Sequence, residues 1–79
     1  MTKKHSGDER VRYQIKVQAN LDDRWSDWFN GLTVVVEDEH AERPPVTVLI
    51  GRMDQSALRG ILNKIWDLNL TLISVVPTE

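Results

Sequence analysis

Cysteine is absent from this chain. That excludes disulfides, zinc–thiolate sites and thiol nucleophiles, and in so small a domain it favours a reducing cytoplasm. Long apolar runs are also missing. None approaches the roughly 20 residues of a membrane span, and the opening residues lack the apolar core of a signal peptide. No membrane partner and a cytoplasmic location are therefore expected. Charge of one sign is lacking too: 10 Lys and Arg stand against 12 Asp and Glu, for a net charge of −2. A balanced, interspersed pattern of this kind argues against nonspecific nucleic-acid binding, which needs a basic face.

What is present reads as one small domain, given 79 residues. Residues 1–9 are polar and charged and are expected to form a flexible tail. Residues 10–79 are expected to form a single α+β domain. Val11, Tyr13, Ile15, Val17 and Ala19 alternate with polar neighbours, which predicts a strand with one buried face. Leu21, Trp25, Trp28, Phe29 and Leu32 then recur at helical spacing. That predicts a short helix capped by Asp22, with Asn30-Gly31 as its stop and Gly31 in a left-handed conformation. Residues 32–37 and 46–50 read as two β-branched strands joined by a polar loop. Asp54 opens a second helix, running to about Leu68, with an apolar arc of Ala57, Leu58, Ile61, Leu62, Ile65 and Leu68. Asn69 is its expected left-handed terminator, and residues 70–76 form a last strand ended by Pro77.

The order β-α-β-β-α-β predicts a ferredoxin-like sandwich, with four antiparallel strands and two helices on one face. The first and third strands are central in that topology. Such a fold hosts many functions, so function must be argued from side chains. The third strand carries no aromatic on which RNA bases would stack. The turn after the first strand lacks the glycines that would aim backbone N–H groups at an anion. His5 and His40 fall in polar segments without the fixed geometry a general base needs. The acidic run from Glu37 to Glu42 has no calcium-loop spacing. No catalytic, cofactor-binding or metal-binding set is expected.

Three features invite a functional reading. Trp25, Trp28 and Phe29 fit a core stripe, with Trp25 near enough to the start of its helix to reach a cleft edge beside Arg24. Gly60 sits in the second helix opposite its apolar arc, where close approach of a partner or ligand would explain it. The open face of the sheet is the third. Alternation leaves Val35 outside on the second strand, and either Leu49 with Thr47 or Val46 with Val48 outside on the third. On the fourth it leaves Thr71, Ile73 and Val75 outside, or else Leu70, Leu72 and Val76. Contiguous apolar surface of this kind marks an interface, and Val35, Leu49, Gly60, Ile73 and Val75 are its candidate residues.

The segment from Val17 to Thr33 resembles a stretch in short, uncharacterised bacterial proteins, and so does that from Asp54 to Val75. The shared wording is LDxRWSxWFxGLT and DQxALxGxLxKIxDLxLxLxSV. The resemblance implies a bacterial, intracellular, freestanding domain and carries no activity. The expected function is a noncatalytic interaction or ligand-binding module that self-associates, as a dimer, with a protein partner as a further possibility. The alternative is a small enzyme with its site at a dimer interface, using Arg24, Trp25, Asp27 and His40. A third reading, nucleic-acid binding, would need a basic stripe of Arg10, Arg12 and Lys16 on the open sheet face.

Overall fold

The computed structural model describes residues 10–37 and 44–78. The expected tail and most of the polar hairpin loop, His40 included, lie outside those residues. The strands are β1 (Val11–Gln18), β2 (Thr33–Val36), β3 (Thr47–Met53) and β4 (Thr71–Pro77), and one α-helix, α1, spans Gln55–Asp67. The sheet order is β2-β3-β1-β4 with every neighbouring pair antiparallel, so β1 and β3 are central and β2 and β4 are edges. Among the described residues no helix is long and apolar enough to cross a membrane.

The two-helix ferredoxin-like sandwich does not form. The chain makes a small α+β domain in which one helix faces a four-stranded sheet. Where the first helix was expected, there is only a 3-10 helix at Asp23–Ser26 followed by turns. Its backbone bonds explain the difference. Trp25 N–H donates to Asp22 C=O at 3.1 Å, Asn30 N–H to Asp27 C=O at 3.2 Å and Leu32 N–H to Phe29 C=O at 3.2 Å, all three residues apart. A segment this short cannot repay helix nucleation, and its Asp, Ser and Asn side chains offer the backbone local alternatives. The Asp22 carboxylate accepts from Arg24 N–H at 3.1 Å, and Ser26 Oγ donates to Leu32 C=O at 2.7 Å. Asn30 and Gly31 both take positive φ, 59° and 81°, which ends the segment at the expected place. Phe29 N–H also reaches Trp25 C=O at 3.1 Å and Gly31 N–H reaches Ser26 C=O at 2.7 Å, so the bonding is mixed in span, and the helical stripe divides: Phe29, Leu21 and Leu32 are buried, Trp25 is half-buried, and Trp28 turns outward.

The remaining elements follow the pattern of the chain. Ile15 and Val17 of β1 point into the core with Leu49 and Met53 of β3, and Leu58, Ile61 and Ile65 of α1 close over them. Asp54 caps α1 by accepting from Ala57 N–H at 2.8 Å, and Asn69 leaves it at φ 64°. The third strand runs on past its expected end at Ile50, because β1 extends far enough to pair Tyr13 with Gly51 and Val11 with Met53. Gly51 has a packing reason. A Cβ there would collide with the Leu32 side chain, which is itself buried against the strand.

Thr47 fixes the sheet to the turn. It is fully buried, its hydroxyl donates to Ala19 C=O at 2.6 Å, and it accepts from Leu21 N–H at 3.0 Å. Two backbone groups that leave the β1 ladder are thereby satisfied by one side chain from β3. Among the described residues no buried side-chain polar atom lacks a partner.

Candidate functional site

Among the described residues, a single α-helix covers one face of the sheet and leaves the other bare. Strand register defines what the bare face presents. Val35, Val48, Lys16 and Ser74 form one row across the four strands, and Thr33, Ile50, Gln14 and Val76 form the next. Val48 is buried between Val35 and Lys16, while Ile50 is half-buried and Val35 and Val76 are exposed. Charge interrupts this apolar ground. Lys16 Nζ lies 3.1 Å from Glu37 Oε2, and Arg12 stands opposite Arg52 near one end of the strands. Arg12 and Lys16 are thus on the open face as the basic-stripe reading required, but Gln14 separates them and Lys16 is ion-paired.

The β4 side differs. Lys16 pairs with Ser74 but Val17 pairs with Leu72, so Ile73 is an extra residue bulged out of the ladder. The bulge reverses the face of everything after it. Leu72 and Val75 both turn toward the core although they are three residues apart, and Ile73 and Val76 face solvent. One flank of α1 carries Leu58, Leu62 and Trp66 with Arg59 and Asn63 between them, lining a surface groove of about 730 Å³. Gln55, at its upper end, donates to Tyr13 Oη at 3.0 Å.

A smaller cleft of about 350 Å³ lies on the opposite flank, lined by Arg24, Trp25 and Trp28. Arg24 and Trp25, the two residues named for a cleft, both line it together with Trp28. Its electrostatics are those of a surface ion pair. Arg24 Nη2 lies 2.7 Å from Asp22 Oδ2, and this bond draws the Asp22 carboxyl below its ordinary value of 3.8 and raises the Arg24 guanidinium. Trp28 is already engaged. Lys64 Nζ sits 5.1 Å from its ring centroid and donates to its backbone carbonyl at 2.8 Å.

The candidate interface residues are thus divided. Val35 and Ile73 are exposed on the sheet, as expected. Leu49 is not surface at all: it has no exposure, because Thr47, two residues earlier on the same face, is drawn inward by its hydrogen bonds. Val75 packs on the core because of the bulge. Gly60 lies one turn before Lys64 on α1, and the position of its missing side chain is open space, so nothing among the described residues requires a glycine there. Asp27 is exposed and does not line the smaller cleft. Sequence reasoning missed Val76 as a partner of Ile73; Trp66, which the helical spacing puts at the margin of the arc beside Arg59 as a second apolar patch, is exposed. No group of His, Cys, Asp or Glu able to hold a metal ion occurs among the described residues.

Residues 12–76 match the model of a family described as "Domain of unknown function (DUF8691)", and the chain belongs to that family. No curated protein and no solved structure matches it.

Proposed function

We propose that this member of the DUF8691 family is a noncatalytic binding module that works as a homodimer and presents its remaining surface to a protein partner or small ligand. One observation carries the reading. Among the described residues the exposed large apolar side chains are Trp28, Val35, Trp66, Ile73 and Val76, and of these only Trp28 is capped by another described residue, Lys64. The other four are each about half exposed. Fully burying a side chain of this size is worth about 1.5–3 kcal/mol, so covering them offers a few kcal/mol per protomer. Apolar ground of this kind on a small domain supports an interface. The lack of cysteine and the sequence resemblance favour a bacterial, cytoplasmic setting for it.

Sedimentation velocity over a concentration series tests the reading on the full chain. The expected result is a dimer that dissociates on dilution. A strictly monomeric protein at the highest attainable concentration would remove self-association from the proposal.

A further inference from the structure

We propose that the dimer forms through β4, edge to edge with β4 of a second copy, with the two α1 helices antiparallel beside it and Arg59 of each lying over Trp66 of the other. The inference rests on the self-association proposed above and specifies its surface and partner.

The sequence of β4 leaves its edge unguarded. Sheet edges that must stay single carry lysine, glutamate or inward charges. Thr71–Val76 has none, and proline enters only at the end, as Pro77. The bulge that might blunt the edge instead turns out an apolar residue, Ile73, which is 49% exposed. Of the four uncapped apolar residues, Ile73 and Val76 lie on β4 itself, Val76 on its bare-face side, and Trp66 lies on α1, which packs against β4. The bare face is the poorer contact. Stacking two copies there would desolvate the Lys16–Glu37 pair and cover the Arg12–Arg52 row.

The second copy is indicated by a symmetry that the strand and the helix share. A two-fold contact is self-complementary, so residue i meets j and j meets i. On α1, Arg59 and Trp66 lie on the same flank, and Arg59 has no ion pair among the described residues. Antiparallel helices bring Arg59 opposite Trp66 of the other copy only if the axis passes between Leu62 and Asn63. That level is about 7 Å back from Asp67 at ~1.5 Å per residue. The chain reverses through a tight turn, closed by Leu70 N–H on Ile65 C=O at 3.1 Å, and β4 runs back alongside. Rising ~3.3 Å per residue, it reaches the same level about two residues beyond Thr71, at Ile73. Ile73 is one residue from Ser74, the centre of the strand. One axis therefore centres the helix pair and, to within one residue, the strand pair. It places a cation over an indole twice, the contact Lys64 and Trp28 already make within one chain.

The test is a swap. Sedimentation equilibrium is run on the full chain and on Arg59→Glu, Trp66→Arg, Arg59→Trp with Trp66→Arg, Ile73→Lys, and Val35→Lys as the bare-face control, with circular dichroism checking the fold. The expected result is a wild-type dimer weakened about tenfold or more by Arg59→Glu, Trp66→Arg and Ile73→Lys. The double swap restores both cross-axis pairs and regains most of the affinity, and Val35→Lys leaves it unchanged. A dimer broken by Val35→Lys but indifferent to the β4 and α1 variants overturns this mode and leaves self-association standing. A double swap no better than Trp66→Arg alone overturns the Arg59–Trp66 pairing. A wild-type monomer overturns both this mode and the proposed dimer.

Discussion

Replacing Thr47 by valine keeps the shape of the side chain and removes its hydroxyl, so it isolates the contribution of two hydrogen bonds. In the wild type that hydroxyl donates to Ala19 C=O and accepts from Leu21 N–H, and Leu21 itself is buried. The variant leaves a buried N–H without an acceptor, which costs about 1–3 kcal/mol, and a part-buried carbonyl without a donor, which costs somewhat less. The extra methyl offsets about 1 kcal/mol of that. A net loss of about 2 kcal/mol remains, a large share of the roughly 4–12 kcal/mol a domain of this size commands.

Urea unfolding followed by tryptophan fluorescence measures it. The midpoint falls while the slope stays constant, since the surface exposed on unfolding is unchanged. Thr47→Ser supplies the contrast. It keeps the hydroxyl and deletes one fully buried methyl, at about 1 kcal/mol. The argument therefore orders the variants wild type, serine, valine. If packing alone held this position, valine would match the wild type and serine would be the weaker. Observing that order would refute the assignment of Thr47 as the tie between β3 and the turn after β1.

Other perturbations test other joints of the fold. Gly51→Ala drives a methyl into Leu32, and since Leu32 is buried the expected loss is about 1–3 kcal/mol in the same unfolding assay. Asp54→Ala removes the α1 cap to Ala57 N–H and lowers the thermal midpoint by the equivalent of about 1 kcal/mol. The Asp22 carboxyl, drawn down by its bond to Arg24, titrates below 3.8 by NMR, and Arg24→Ala returns it toward that value. A folded-state value below the unfolded one makes its stabilisation present above about pH 4 and lost as pH falls through the lowered value. Both groups are exposed and screened, so the change in overall stability is small.

How far the sequence could be read depended on whether a periodic segment was long enough to enforce its period. β1 and α1 follow their alternation and arc because eight and thirteen residues give each pattern room to repeat. The segment after β1 carried a helical stripe as regular as that of α1. It also held Asp22, Asp23, Ser26, Asp27 and Asn30, each able to bond the backbone locally, and that density was the readable warning against a full helix. The interface residues failed for two different reasons. In β3 the run Val46 to Ile50 is apolar on both faces, so period two is silent, and only the Thr47 contacts assign Leu49 inward. In β4 alternation was sound on either side of Ile73, but a single bulge joins two half-strands of opposite phase. No local sequence signal marks it.

The same bulge links the fold to its proposed use. Without it, continued alternation from Leu72 would point Val76 inward and Val75 out, with Ile73 inside an unbroken ladder to β1. With it, Leu72 and Val75 both serve the core, and Ile73 and Val76 are released to solvent on the edge strand. The core gains no burial from having Ile73 outside, and a strand edge with apolar side chains is a liability for a monomer. A dimer through β4 turns both costs into contact area.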